Sequence, residues 1–174
     1  GIESIPSESA CYPAKLVHGH IMSLIEKGVR FIFYPSVVYE RRDIAASDNN
    51  YNCPIVTSYS ENIKNNVEDL REQNIKFLNP FLSMGDKTAL AKRLIQECKP
   101  LDISAKQVLS AVDAAWQEWG QFREDIHKKG LETLQYIKEH NMTGIILGGR
   151  PYHVDPEINH GIPELIASYN IAVF

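Results

Sequence analysis

Two cysteines stand where a thiol can do chemistry. Cys11 precedes Tyr12-Pro13 at a predicted helix start, where unpaired N–H groups and the helix dipole favour an anion. A thiolate is the species that binds a metal or attacks an electrophile; a small buried cysteine at a helix start is the other reading. Cys53-Pro54 follows the turn-rich run Asp48-Asn49-Asn50-Tyr51-Asn52. A proline after a ligating cysteine occurs at ferredoxin-type cluster sites, and a structural cysteine fits that place equally. Cys98 shares a predicted helix face with Leu90 and Leu94 and is expected in the core. Three widely spaced cysteines do not make a disulfide framework.

A second chemical segment is Gly148-Gly149-Arg150-Pro151-Tyr152-His153, with Asp155, Asn159 and His160 close behind. It follows a predicted strand and has the outline of a phosphate-contacting loop. It lacks both G-x-G-x-x-G and G-x-x-x-x-G-K-[ST], which excludes a Rossmann-type cofactor loop or a Walker ATPase on motif grounds. Arg150, Tyr152 and His153 are its candidate cofactor-binding residues. His18 and His20, two apart on one helix, point to nearly opposite sides and belong to no Cys/His zinc pattern. Tyr34-Pro35-Ser36 and Tyr39-Glu40-Arg41-Arg42 follow the first strand, where a parallel sheet collects ligands; a solvated loop explains the charges as well. The stripe Trp116, Trp119 and Phe122 is expected in a core or a domain contact.

The elements that position these residues alternate. Pro13 opens a helix carrying Val17, Ile21 and Leu24, capped by Gly28. Val29–Tyr34 is predicted as a buried strand stopped by Pro35, Cys53–Tyr59 as the next strand, and Ile63, Val67 and Leu70 as a helix closed near Asn74. Ile75–Leu78 is a third strand. Asp86 caps a helix ending at Lys99-Pro100, and Ser104 with Gln107 has capping-box spacing. Behind it Val108, Val112, Ala115, Trp119, Phe122 and Ile126 step by four and three residues. That helix is predicted to continue to about His140, roughly 50 Å at ~1.5 Å per residue, with Gly120 and Gly130 as kink sites. Thr143–Leu147 is a fourth strand, Pro163–Ser168 a short helix, and a last strand follows. The alternation predicts an α/β fold, a parallel sheet with helices on both faces (flavodoxin/Rossmann-like), plus a long helical segment. The expected organisation is a first α/β domain over 1–100, a helical connector over 101–142 and a second α/β unit over 143–174.

The 174 residues carry 44% hydrophobic and 23% charged side chains and a formal net charge of −4. That composition excludes disorder, and with no basic stripe it argues against nucleic-acid binding. Apolar runs fall far short of the ~20 residues of a membrane span, so a cytoplasmic protein is expected. The first residue is Gly1 and the last run is the apolar Ile171-Ala172-Val173-Phe174. Both predict a slice of a longer polypeptide, cut through α/β structure at each end.

Three motifs carry a family resemblance along essentially the whole chain. They are Ile5-Pro6-Ser7-Glu8-Ser9-Ala10-Cys11-Tyr12-Pro13-Ala14-Lys15, running on through His20, then Tyr51-Asn52-Cys53-Pro54-Ile55-Val56-Thr57-Ser58-Tyr59, and Gly148 to His153 with Pro156 to Gly161. Together they resemble the dehydratase-like part of CoA-substrate-specific enzyme activases, also called activators of (R)-2-hydroxyglutaryl-CoA dehydratase and related to 2-hydroxyacyl-CoA dehydratase subunits of bacteria. The resemblance implies α/β domains around an iron–sulfur cluster of the 4Fe-4S type. It also implies an ATP-driven activator that delivers one electron, and reduction of an acyl-CoA thioester to a ketyl that expels a hydroxyl group. Carried over by position, Cys11 and Cys53 become cluster ligands and Cys98 does not. A four-iron cluster takes three or four protein ligands, and the position after the first strand that would suit another thiol holds Ser36.

The function expected is therefore that of an iron–sulfur, dehydratase-like component in anaerobic acyl-CoA chemistry. Its partners would be an acyl-CoA substrate or an ATP-dependent activator domain, with a homo-oligomer or domain contacts inside a longer protein. A metal-free acyl-CoA-binding or activator-docking scaffold is the alternative. A zinc hydrolase built on Cys11, His18 and His20 is a third.

Overall fold

The computed structural model describes residues 11–174; the part of the first motif from Ile5 to Ala10 lies outside them. The chain separates into two compact units, one through Asp113 and one from Ala114. Helix and strand are mixed, and every strand pair among the described residues is parallel.

In the first unit, α1 (Tyr12–Glu26) carries Pro13 in its first turn, where no N–H is missed. Ala14, His18, Ile21 and Ile25 recur by four and three residues and form its buried face. Gly28 ends the helix at φ +77°, and the Val29 amide reaches back to the Leu24 carbonyl. That is the left-handed stop a glycine makes cheaply.

The first strand stops before Pro35, as expected, and a second begins directly after it. β1 (Phe31–Phe33) is followed by β2 (Ser36–Tyr39), and β3 (Lys76–Leu78) by β4 (Phe81–Ser83). β1 pairs with β3 and β2 with β4 in one continuing register, with Phe33 facing Leu78 and Ser36 facing Phe81. Across the break the Tyr34 amide donates to the Leu78 carbonyl and the Ser36 amide to the Pro80 carbonyl. The bond missing between them is the one Pro80, without an N–H, cannot give.

The largest correction to the predicted elements falls on Cys53–Tyr59. It is not a strand. Pro54–Asn66 is a helix, α2, with Cys53 as N-cap and Pro54 in its first turn. The β-branched run Ile55-Val56-Thr57 has strand propensity, but Tyr59 and Ile63, four apart, are buried on one helical face. The short α3 (Asp69–Glu72) follows and Asn74, at φ 52°, turns the chain into β3. Ile21, Ile25, Ile32, Tyr59, Ile63, Leu70 and Ile75 form one core cluster.

α4 (Lys87–Cys98) is capped by Asp86, whose carboxylate accepts from the Ala89 amide at 2.6 Å. After a single 3-10 turn at Lys99–Leu101, α5 (Ala105–Glu139) begins with Ser104 and Gln107 bonded reciprocally as a capping box. It runs through Gly120 and Gly130 unbroken. Val108 and Val112 are buried, whereas Trp119 and Phe122 are 42% and 49% exposed. Cys98 is half-buried at the end of α4 rather than inside the core.

In the second unit β5 (Thr143–Ile145) pairs with β6 (Ile171–Val173). Between them lie a 3-10 turn (Pro151–Val154), α6 (Pro156–Asn159) and α7 (Ile162–Ser168). No helix among the described residues is long and apolar enough to cross a membrane.

Ile63 is fully buried at the centre of the first unit's cluster. Ile63→Ala should cost about 2–5 kcal/mol in urea unfolding. A loss under about 1 kcal/mol would mean that α2 is not packed as described.

Candidate functional site

Cys11 and Cys53 occupy the same structural position in two helices. Each is an N-cap with extended backbone, φ −63° and ψ 154° at Cys11 and φ −64° and ψ 156° at Cys53. Each is followed by a proline in the first turn, and in neither does the side chain cap a backbone N–H. Their carbonyls accept the first helical bonds, from Lys15 and Thr57. The thiols are therefore left over: Cys11 is exposed and Cys53 half-buried. Serine, threonine, aspartate or asparagine would satisfy an N–H at such a position, so cysteine there forgoes capping energy.

Helices α1 and α2 contact each other. About two turns into each, His18 and Tyr59 meet edge to face with ring centroids 5.4 Å apart. His18 is 2% exposed and its Nε2 has no hydrogen-bond partner among the described residues. Burial pulls its pKa below the ordinary 6.5, which keeps the ring neutral. Tyr59 is held above its ordinary value by burial first and then by the charge of Cys11. His20 is exposed, so the two histidines diverge as their spacing predicts, and His18 serves packing.

Ser36 is wholly buried. Its hydroxyl shares a 2.5 Å hydrogen bond with that of Ser60, which follows Tyr59 on α2. Next to Pro80, buried Asn79 accepts from Lys64 Nζ at 3.0 Å and donates to Glu61 Oε1 at 2.7 Å. These bonds tie the proline break of the sheet to α2. In the loop after β2, Arg41 pairs with Asp43 and Asn52 donates to Glu40, so those charges answer one another. No group of three or more His, Cys, Asp or Glu among the described residues is placed to hold a metal. Cys11 and Cys53 supply two thiols, fewer than the three or four protein ligands of a four-iron cluster.

The second candidate segment lines a cavity of about 670 Å³ beyond the C-terminal ends of β5 and β6. Arg150 and His153 face it; Tyr152 does not, but sets its ring edge against His153 with centroids 4.6 Å apart. Sequence reasoning missed Tyr59, Ser60 and Glu164. Tyr59 ends the segment taken for a strand and Ser60 follows it; the recurrence of proline just after a cysteine was the available signal. Nothing near Glu164 marks it as a cavity residue.

The whole chain, residues 1–174, matches the family model described as the CoA enzyme activase uncharacterised domain. The chain belongs to that family. No curated protein and no solved structure matches it.

Two outcomes test this geometry. Because the folded pKa of His18 is lowered, its stabilising contribution is present above pH 6.5 and lost as the pH falls below it. His18→Gln should flatten that acid loss between pH 7.5 and 5.5 in urea titrations; an unchanged slope would contradict a buried neutral His18. Cys53→Ser should raise the stability of the metal-free chain by about 0.5–1 kcal/mol through a new cap. A loss of that size would show that the thiol is held for packing.

Proposed function

We propose that this activase-family chain is an iron–sulfur, 2-hydroxyacyl-CoA dehydratase-like component that takes part in ATP-driven one-electron activation of acyl-CoA substrates. The observation that carries this is the matched pair of N-cap cysteines. Two thiols sit at two helix starts, both locked by a nearby proline and neither used for capping, on helices that pack together. A bound cluster supplies a store for one electron. Cys11 and Cys53 would provide two of its ligands, and donors outside the described residues of this chain the others. The helix dipoles favour the negative charge of the thiolates. His18 and Tyr59 keep the flank of the site dry and fix α1 against α2.

In this proposal the small parallel sheets are parts of wider sheets covered by helices on both faces, flavodoxin/Rossmann-like. The long helix joins a first α/β domain to a second. An acyl-CoA-processing enzyme or an ATP-dependent activator domain is the partner, in the cytoplasm of an anaerobic bacterium.

Anaerobic reconstitution of the 174-residue chain with iron, sulfide and an excess of a small thiol, which completes the ligand set, tests the proposal. Iron and acid-labile sulfide should bind, and either Cys11→Ala or Cys53→Ala should remove most of both. A colourless, iron-free protein, or iron retained at full stoichiometry in both variants, would contradict it. In the iron-free case a metal-free scaffold binding a CoA thioester would be the better account.

A further inference from the structure

We propose that the cavity of the second unit binds a small aliphatic monocarboxylate, held by Arg150 and His153 at the glycine loop, with its hydrocarbon chain on the apolar wall. This site is independent of the thiols and does not rest on the cluster assignment.

The loop is built around the His153 ring. The Arg150 amide donates to His153 Nδ1 at 3.1 Å, and the His153 amide donates to the Arg150 carbonyl at 2.9 Å. With Nδ1 accepting, the ring proton sits on Nε2, which is left as a donor. The ring lies so close to the loop backbone that a Cβ at Gly149 would come within 2.6 Å of Nδ1. Gly149 is therefore the residue that lets the imidazole lie there, and Tyr152 braces its edge.

The loop also carries donors: the Arg150 side chain and the Gly148 and Gly149 amides. Arg150 forms no ion pair among the described residues. The Gly148 and Gly149 amides donate to no acceptor among them. A planar guanidinium fork matches the two oxygens of a carboxylate. Glu164 stands in the same wall; its carboxylate offsets the one guanidinium, which disfavours a polyphosphate. The rest of the wall includes Leu147, Ile158, Ile162 and Phe174. A volume of about 670 Å³ lies within the ~300–1,000 Å³ of small-molecule sites.

Calorimetric titration of the 174-residue chain with hexanoate tests the proposal, alongside hexan-1-ol, hexylamine and hexyl phosphate. Hexanoate should bind saturably and at least tenfold more tightly than the alcohol or the amine, and Arg150→Gln should weaken it at least tenfold. Gly149→Ala should weaken it as well by displacing His153, with circular dichroism confirming that both variants are folded. Amide shifts induced by hexanoate should centre on residues 148–153. Equal binding of hexan-1-ol, an unchanged Arg150→Gln, or shifts centred elsewhere would overturn the site. Tighter binding of hexyl phosphate would overturn the carboxylate assignment in favour of a phosphate ester.

Discussion

An imidazole buried with no partner for its Nε2 among the described residues is set edge to face with a tyrosine ring, and that contact holds α1 against α2. Each helix starts at a cysteine. Had His18 been an ordinary apolar residue, the helices would still pack; the histidine adds a cost, because its ring must remain neutral to stay inside. Tyr59, held above its ordinary pKa by burial first, is also raised by its electrostatic interaction with Cys11. Helix packing and thiol chemistry thus share their residues, and a change in one is felt in the other.

The two thiols show a consistent choice at the level of local structure. An N-cap is a position at which a short oxygen-bearing side chain contributes about 1 kcal/mol, and α4 and α5 use Asp86 and Ser104 in that way. Cys11 and Cys53 stand at equivalent positions without capping. The nearby proline in each case pre-sets the backbone and removes one N–H that would need a partner. Helix initiation is thereby maintained while the sulfur atoms remain available to a ligand.

Much of this was legible in the sequence. The α1 helix, the Gly28 stop, the Asp86 cap, the Ser104–Gln107 box and the long α5 follow from periodicity and cap chemistry, which are local, although the buried face of α1 is Ala14, His18, Ile21 and Ile25 and shares only Ile21 with the predicted one. The strand assigned to Cys53–Tyr59 failed because three β-branched or hydroxyl residues in a row look extended, whereas the burial of Tyr59 and Ile63 against α1 is a tertiary fact. Pro35 and Pro80 misled in another way: each breaks a strand, yet the register carries across because only one ladder bond is lost. Of the candidate residues, Cys11 and Cys53 were visible by type and flanking proline, and Arg150 and His153 by their glycine loop. The nearness of Cys11 to Tyr59 and the presence of Glu164 in the cavity wall depend on folding and leave no local signal.

The central claim is that Cys11 and Cys53 ligate one cluster. Alkylation of the anaerobically reconstituted chain, read by mass spectrometry of peptides, tests it directly. Both Cys11 and Cys53 should be protected relative to the metal-free chain, and Cys98 should not. Alkylation of Cys11 or Cys53 at the rate of the metal-free chain would contradict the account.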